Sequence, residues 1–169
     1  TFWASWASHY DGAVHDTPVR SVVLALNEAV GVVALVCPER WPLLGLTSLA
    51  APLLATGNSV VALPSSTSPL SAVDLYHVLE ASDLPAGVLN IITGVHEELV
   101  PVLARHDGVD MIWHAGASDQ VDLVEAESVG NLKRTWCPRN FDPTSEDAAS
   151  MHLLRQATHI KNIWIPHGI

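Results

Sequence analysis

The chain has 169 residues, 49% of them hydrophobic, and a formal net charge of -10 at pH 7. Length and apolar content together suit one domain with a sizeable core. The 8 Lys and Arg are scattered singly among 18 acidic residues and make no basic patch for phosphate contacts, which argues against nucleic acid or an anionic membrane surface as partner.

From Thr1 to Tyr10, the spacing of Phe2, Trp3, Trp6 and Tyr10 gives one aromatic helical face, read as a helix end packed on the domain. Asp11-Gly12 ends it, and Ala13 to Pro18 is a polar lead-in. Arg20 to Leu26 and Val30 to Cys37 are β-branched apolar runs joined by the short Asn27-Glu28-Ala29, which predicts a hairpin spanning 20–37.

The stretch from Glu28 to Gly94 organises the rest, because strand-like and helix-like runs alternate there as βαβαβ. Pro42 opens a helix running from about Leu43 to Ala55, and Gly57 ends it. That helix is apolar nearly all round, so it is expected in the interior. Ser59 to Leu63 is apolar on both faces, as a covered parallel strand is. Ser68-Pro69 starts a second helix to about Glu80, and Leu84 to Gly87 turns the chain into a strand at Val88 to Ile92.

His96 to Arg105 is read as a helix, Val109 to Trp113 as a strand, Gly116 to about Glu127 as helical, and Leu132 to Trp136 as a short strand. A loop from Arg139 to Ser145 breaks the alternation. A helix-prone piece from Glu146 to about Ala157 and a final strand from Ile160 to Ile165 follow. The expected fold is therefore α/β: a Rossmann-like, mostly parallel sheet with helices on both faces. A small β element, hairpin 20–37 with strand 160–165, is added to it.

No charge occurs between Trp41 and Val73, but Pro52, Gly57-Asn58 and Pro64 cut that segment into pieces too short to span a bilayer. Cys37 and Cys137 are too few for a disulfide framework or a thiolate metal site, which points to a reduced, cytoplasmic compartment. The chain opens at Thr1 without a basic-then-apolar leader and is read as a partial or processed piece.

The order of short motifs over residues 10–136 resembles the nucleotide-binding region of the aldehyde dehydrogenase superfamily. The matching pieces include Glu28-Ala29-Val30-Gly31, Pro38-Glu39-Arg40-Trp41-Pro42-Leu43, Gly57-Asn58 and Val60 to Ser66. Further along come Pro85 to Gly94, His114-Ala115-Gly116-Ala117 and Asn131-Leu132-Lys133.

That resemblance implies several departures. The oxyanion-stabilising asparagine of the family falls at Arg40, and the lysine and glutamate that hold the adenosine ribose fall at Leu63 and Ser66. The pyrophosphate-side serine falls at Ala117, although Gly116 is kept. The general-base glutamate falls at Pro138, and nothing after Trp136 resembles the cysteine-nucleophile segment.

Neither thiol is an obvious replacement. Cys37 ends an apolar strand, where burial makes a thiol inert, whereas Arg134 and Arg139 near Cys137 raise the thought of a lowered pKa. The nine histidines, His9, His15, His77, His96, His106, His114, His152, His159 and His167, form no metal-binding motif. No catalytic, cofactor-binding or metal residue is therefore assigned.

In the superfamily, an early hairpin and a C-terminal strand form a projecting sheet that pairs with a neighbouring subunit. Arg20 to Cys37 and Ile160 to Ile165 are similar to those parts. Strands kept while catalytic positions diverge resemble the C-terminal pseudo-domain of family 16 aldehyde dehydrogenases, which have two domains. The resemblance implies a non-catalytic scaffold without cofactor, partnered through strand edges by its own copies, by the catalytic domain of the same protein, or by other proteins. A residual NAD-binding module is the alternative, as is a fragment of an NAD(P)-dependent enzyme whose activity resides in another domain.

Overall fold

The computed structural model describes residues 1–18 and 21–166. Its centre is a five-stranded parallel sheet built from β3 (Val32–Val36), β4 (Ser59–Leu63), β5 (Leu89–Ile91), β6 (Met111–His114) and β7 (Arg134–Trp136). The strand order is β5-β4-β3-β6-β7, so the chain works outward from β3 first on one side and then on the other. Each crossover is helical, as parallel neighbours require.

Helices cover both faces of this sheet. Val33, Leu35 and Cys37 point to one face, where they cluster with Leu46, Leu49 and Leu53 of α2 (Pro42–Ala55), Ala72 of α3 (Leu70–Glu80) and Leu153 of α6 (Met151–Gln156). Ala34 and Val36 point the other way, onto Val100 and Ala104 of α4 (His96–Arg105) and Val124 of α5 (Val121–Glu127). The period-2 alternation of β3 thus feeds two cores, and its residues 33–36 are completely buried. Leu46, Leu49 and Leu53 are also completely buried, and each contributes about 1.5–3 kcal/mol.

Local chemistry sets the bounds of α2. Pro42 occupies the first turn after Trp41, which takes the left-handed conformation (φ 59°), and Gly57 closes the end at φ 87°. Asn58 then fixes the geometry, because its side chain bonds in both directions. Its Oδ1 accepts from the N–H groups of Val30 and Gly31, at 2.8 and 3.1 Å, while its Nδ2 donates to the Leu53 carbonyl and the Thr56 hydroxyl.

A second sheet has the order β1-β2-β8, made of β1 (Ala13–His15), β2 (Ser21–Ala29) and β8 (Thr158–Pro166). β8 runs antiparallel to β2 over its whole length, from Ser21 opposite Pro166 to Ala29 opposite Thr158. The other edge of β8 is unpaired among the described residues, and Ile160, Trp164 and Ile165 on it are exposed.

The predicted hairpin over 20–37 does not form. β2 and β3 belong to different sheets, and β2 pairs instead with β1 and β8. At the junction, Asn58 takes both Val30 and Gly31 N–H groups, and the Asp110 carboxylate accepts the Val32 N–H at 2.8 Å. The chain therefore passes straight from one sheet into the other. The lead-in read as polar coil contains β1, and the predicted strand start at Arg20 lies outside the described residues.

Differences elsewhere are local. The helix-prone piece 146–157 splits into a 3₁₀ turn, Glu146–Ala149, and α6. Ser150 is extended between them, and its hydroxyl donates back to the Asp147 carbonyl at 2.9 Å. At the amino end, α1 (Phe2–Ala7) stacks Phe2 edge-on against Trp3, and Trp3 packs on the larger core. Among the described residues, no helix is long and apolar enough to cross a membrane.

Candidate functional site

In doubly wound sheets, ligands enter at the carboxyl ends of the strands. Here that edge is formed by the segments following β3, β4 and β6. β3 and β4 lie side by side with Val36 opposite Leu63, which brings Glu39 against Ser65, Ser66 and Thr67.

The contact uses both carboxylate oxygens of Glu39. Oε2 accepts from the Ser65 hydroxyl at 2.6 Å, the Thr67 hydroxyl at 3.0 Å and the Thr67 N–H at 3.1 Å. Oε1 accepts from the Ser66 hydroxyl at 2.7 Å and its N–H at 3.1 Å. Ser65 is completely buried beneath them. Burial alone would raise the carboxyl pKa, but the donors from Ser65, Ser66 and Thr67 outweigh it and hold Glu39 at about 2.

His96 closes one side of this cluster. Its Nε2 lies 2.7 Å from the Pro64 carbonyl, which only accepts, so Nε2 carries the hydrogen. Its Nδ1 faces Glu39 Oε1 at 3.5 Å. Across β3, His114 ends β6 and is 1% exposed, with Nε2 placed 3.3 Å from Gln120 Oε1. Burial pushes the His114 pKa down, against the Gln120 hydrogen bond. Gly116 follows close to the sheet, where a Cβ would sit 3.2 Å from Val36 Cγ1 and 3.3 Å from His114 Nε2.

The positions singled out in the sequence have diverse surroundings. Arg40 is exposed, with its guanidinium carbon 5.4 Å from the Trp41 ring centroid. Leu63 is 1% exposed and packs in the core on the α4/α5 side. Ser66 is a donor to Glu39. Ala117 is extended before a 3₁₀ turn, Ser118–Gln120. Pro138 lies away from Glu39's partners, lining a cavity of about 300 Å³ with Trp136, Asn140, Phe141 and His152. The strand ends bring Leu63 and Ser66 near the chain segment carrying Arg40, but the Arg40 side chain joins the Trp41 ring instead.

Both thiols are held in the neutral form. Burial, reinforced by the nearby Glu39 charge, pushes Cys37 far up. Burial and the Glu125 charge push Cys137 up to about 11. The idea that Arg134 and Arg139 lower the Cys137 pKa therefore fails: Arg134 donates to the Thr158 carbonyl at 2.8 Å, and Arg139 is exposed. Among the described residues, no group of three or more His, Cys, Asp or Glu is gathered for a metal, and His167 lies outside them.

Glu39 and His96 are the residues that sequence reasoning missed. The available signal was an acid just ahead of the long uncharged segment 41–73, with the consecutive hydroxyl residues Ser65, Ser66 and Thr67 inside that segment. Other motif residues do structural work. Lys133 Nζ donates to the carbonyls of Ala104 and His106 at the end of α4, at 2.7 and 2.9 Å. Asn131 Nδ2 donates to the Asp107 and Val109 carbonyls.

Comparison with known proteins agrees with this architecture. NADP/NAD-dependent aldehyde dehydrogenase PuuC of Escherichia coli is 37% identical over 126 residues, covering 74% of this chain and 26% of that protein. Human retinaldehyde dehydrogenase 3 is 32% identical over 134 residues, covering 79% of this chain and 26% of its own length. Among solved structures, a putative aldehyde dehydrogenase from Burkholderia cenocepacia superposes with a TM-score of 0.77 at 30% identity, covering 80% of this chain and 28% of that one. A Staphylococcus aureus betaine aldehyde dehydrogenase mutant in complex with NAD+ gives 0.76 at 28% identity, covering 80% of this chain and 28% of its own. The chain thus spans about a quarter of the length of the relatives it matches. With the profile described as the aldehyde dehydrogenase family matching residues 1–137, the chain belongs to that family.

Proposed function

We propose that this chain is a non-catalytic domain of the family 16 type, a scaffold that contributes oligomerisation and partner-binding surface to an aldehyde dehydrogenase-like protein in the cytoplasm. The observation that carries this reading is the pairing of β2 with β8 over nine registers, which leaves a long strand with an exposed, apolar edge. Such an edge is a template for pairing with a second copy or with the catalytic domain of the same protein. Loss of chemistry is supported by the surroundings of Arg40, Leu63 and Pro138, and by two thiols both pushed toward the neutral form. The free cysteines, Cys37 and Cys137, are consistent with a reducing compartment.

A second reading keeps NAD. Relatives are named for NAD or NADP use, and a glycine, Gly116, is kept at the carboxyl edge, where a Cβ would crowd Val36 and His114. In that reading the chain is a residual NAD-binding module or part of an enzyme whose activity resides in another domain.

The double substitution Arg40→Asn, Pro138→Glu separates catalytic from non-catalytic readings. The scaffold reading predicts no NADH formation with any aldehyde, because restoring two positions supplies no ionisable thiol. Measurable NADH from that variant would overturn it.

A further inference from the structure

We propose that Glu39 is a built-in ligand of the carboxyl-edge crevice, occupying the Ser65–Thr67 donors and thereby keeping nucleotide phosphate and ribose hydroxyl groups out of the space between β3 and β4. This goes beyond the scaffold reading and does not depend on oligomerisation.

The donor set is what an anionic oxygen seeks. Three hydroxyls and two backbone N–H groups, all from residues 65–67, converge on one carboxylate. Consecutive amide and hydroxyl donors of this kind serve a phosphate oxygen as well as a carboxylate oxygen. They are already satisfied by a group belonging to the chain itself, and both of its oxygens are engaged.

The local backbone favours that occupancy. Glu39 follows Pro38, which packs so closely on α2 that a Cβ at Gly45 would meet the proline ring at 2.7 Å. Ser65 follows Pro64, whose carbonyl is bonded by His96. Two proline-stiffened segments on adjacent parallel strands thus hold carboxylate and donors face to face, so little ordering entropy is lost when they meet. An external ligand must displace an internal group, and its apparent affinity falls by the fraction of time the donors are free. The Glu39 charge itself adds repulsion for a phosphate. Once the carboxylate is removed, the hydroxyls of Ser65, Ser66 and Thr67 and the N–H groups of Ser66 and Thr67 remain as donors for an incoming anion.

The test is an AMP titration followed by amide chemical shifts, on the parent chain and on Glu39→Ala and Glu39→Gln variants. The expected result is AMP binding at least about tenfold tighter in Glu39→Ala than in the parent, with the largest shifts at Ser66 and Thr67. Glu39→Gln should fall between them, since its carbonyl still accepts but its charge is gone. Equal affinities in the parent and in a folded Glu39→Ala variant would overturn the proposal. A carboxyl-carbon titration on the parent checks the occupancy on which the proposal rests, even where Glu39→Ala does not fold. A Glu39 midpoint near 2 is expected, and a midpoint in the ordinary carboxylate range would mean that the donors are not held by Glu39. Solution mass is a separate readout, so the scaffold reading and this one fail independently.

Discussion

The side-chain amide of Asn58 donates to the carbonyl oxygen of Ala157 at 2.9 Å, across 99 residues of chain. Ala157 precedes the first residue of β8, so one buried asparagine ties the end of α2, the β2–β3 junction and the root of β8 together. Asn58→Ala leaves the half-buried Val30 and Gly31 N–H groups without their acceptor and removes a completely buried amide, and it should cost about 2–3 kcal/mol. Urea unfolding measures the loss, and hydrogen exchange should show faster opening of β8 than of β3.

Stability should fall in acid through Glu39. Its folded pKa of about 2 lies below the ordinary 4.5, so its contribution is complete above 4.5 and is lost as pH falls toward 2. The side chain is 38% exposed, and with solvent screening the contribution is about 1–2 kcal/mol. Comparing urea midpoints at pH 6 and pH 3 for the parent and Glu39→Gln checks this, since the variant should lose that part of the pH dependence.

Glycines 31 and 87 offer a matched contrast. Both have positive φ, at 129° and 82°, but a Cβ at Gly31 would run into the Asp110 carboxylate whereas one at Gly87 meets nothing. Gly87→Ala should therefore cost about 1–2 kcal/mol, the backbone penalty alone. Gly31→Ala should cost more, because Asp110 must also release the Val32 N–H. Thermal melts of the two variants, run side by side, test the ordering.

Neither cysteine should behave as a reactive thiol. With Cys137 pushed up to about 11 and Cys37 higher, iodoacetamide at pH 8 should label Cys137 about two orders of magnitude more slowly than a free thiol, and Cys37 more slowly again. Denaturant should restore ordinary rates at both. Rapid modification of Cys137 in the folded chain would contradict its surroundings.

The parallel sheet was legible because its signals are local. β4 is apolar on both faces, and Pro42, Gly57 and Pro69 mark helix ends within a few residues of where they lie. The hairpin reading failed because the link from β2 to β3 looks like a turn in isolation. What makes it a straight passage is Asn58, 28 residues beyond Val30, and Asp110, 78 residues beyond Val32. β1 was hidden because its three residues are all exposed and carry no apolar alternation. Glu39 was unread for a similar reason: its partners lie 26 to 28 residues further on, and nothing local distinguishes a bound carboxylate from a solvated one.

The central claim, a scaffold proposed to assemble through the edge of β8 and not to hold NAD, is tested most directly by NAD titration calorimetry with light scattering on the same sample. The account predicts no saturable heat and a mass of at least two chains. Saturable NAD binding by a species with the mass of one 18.1 kDa chain would contradict it.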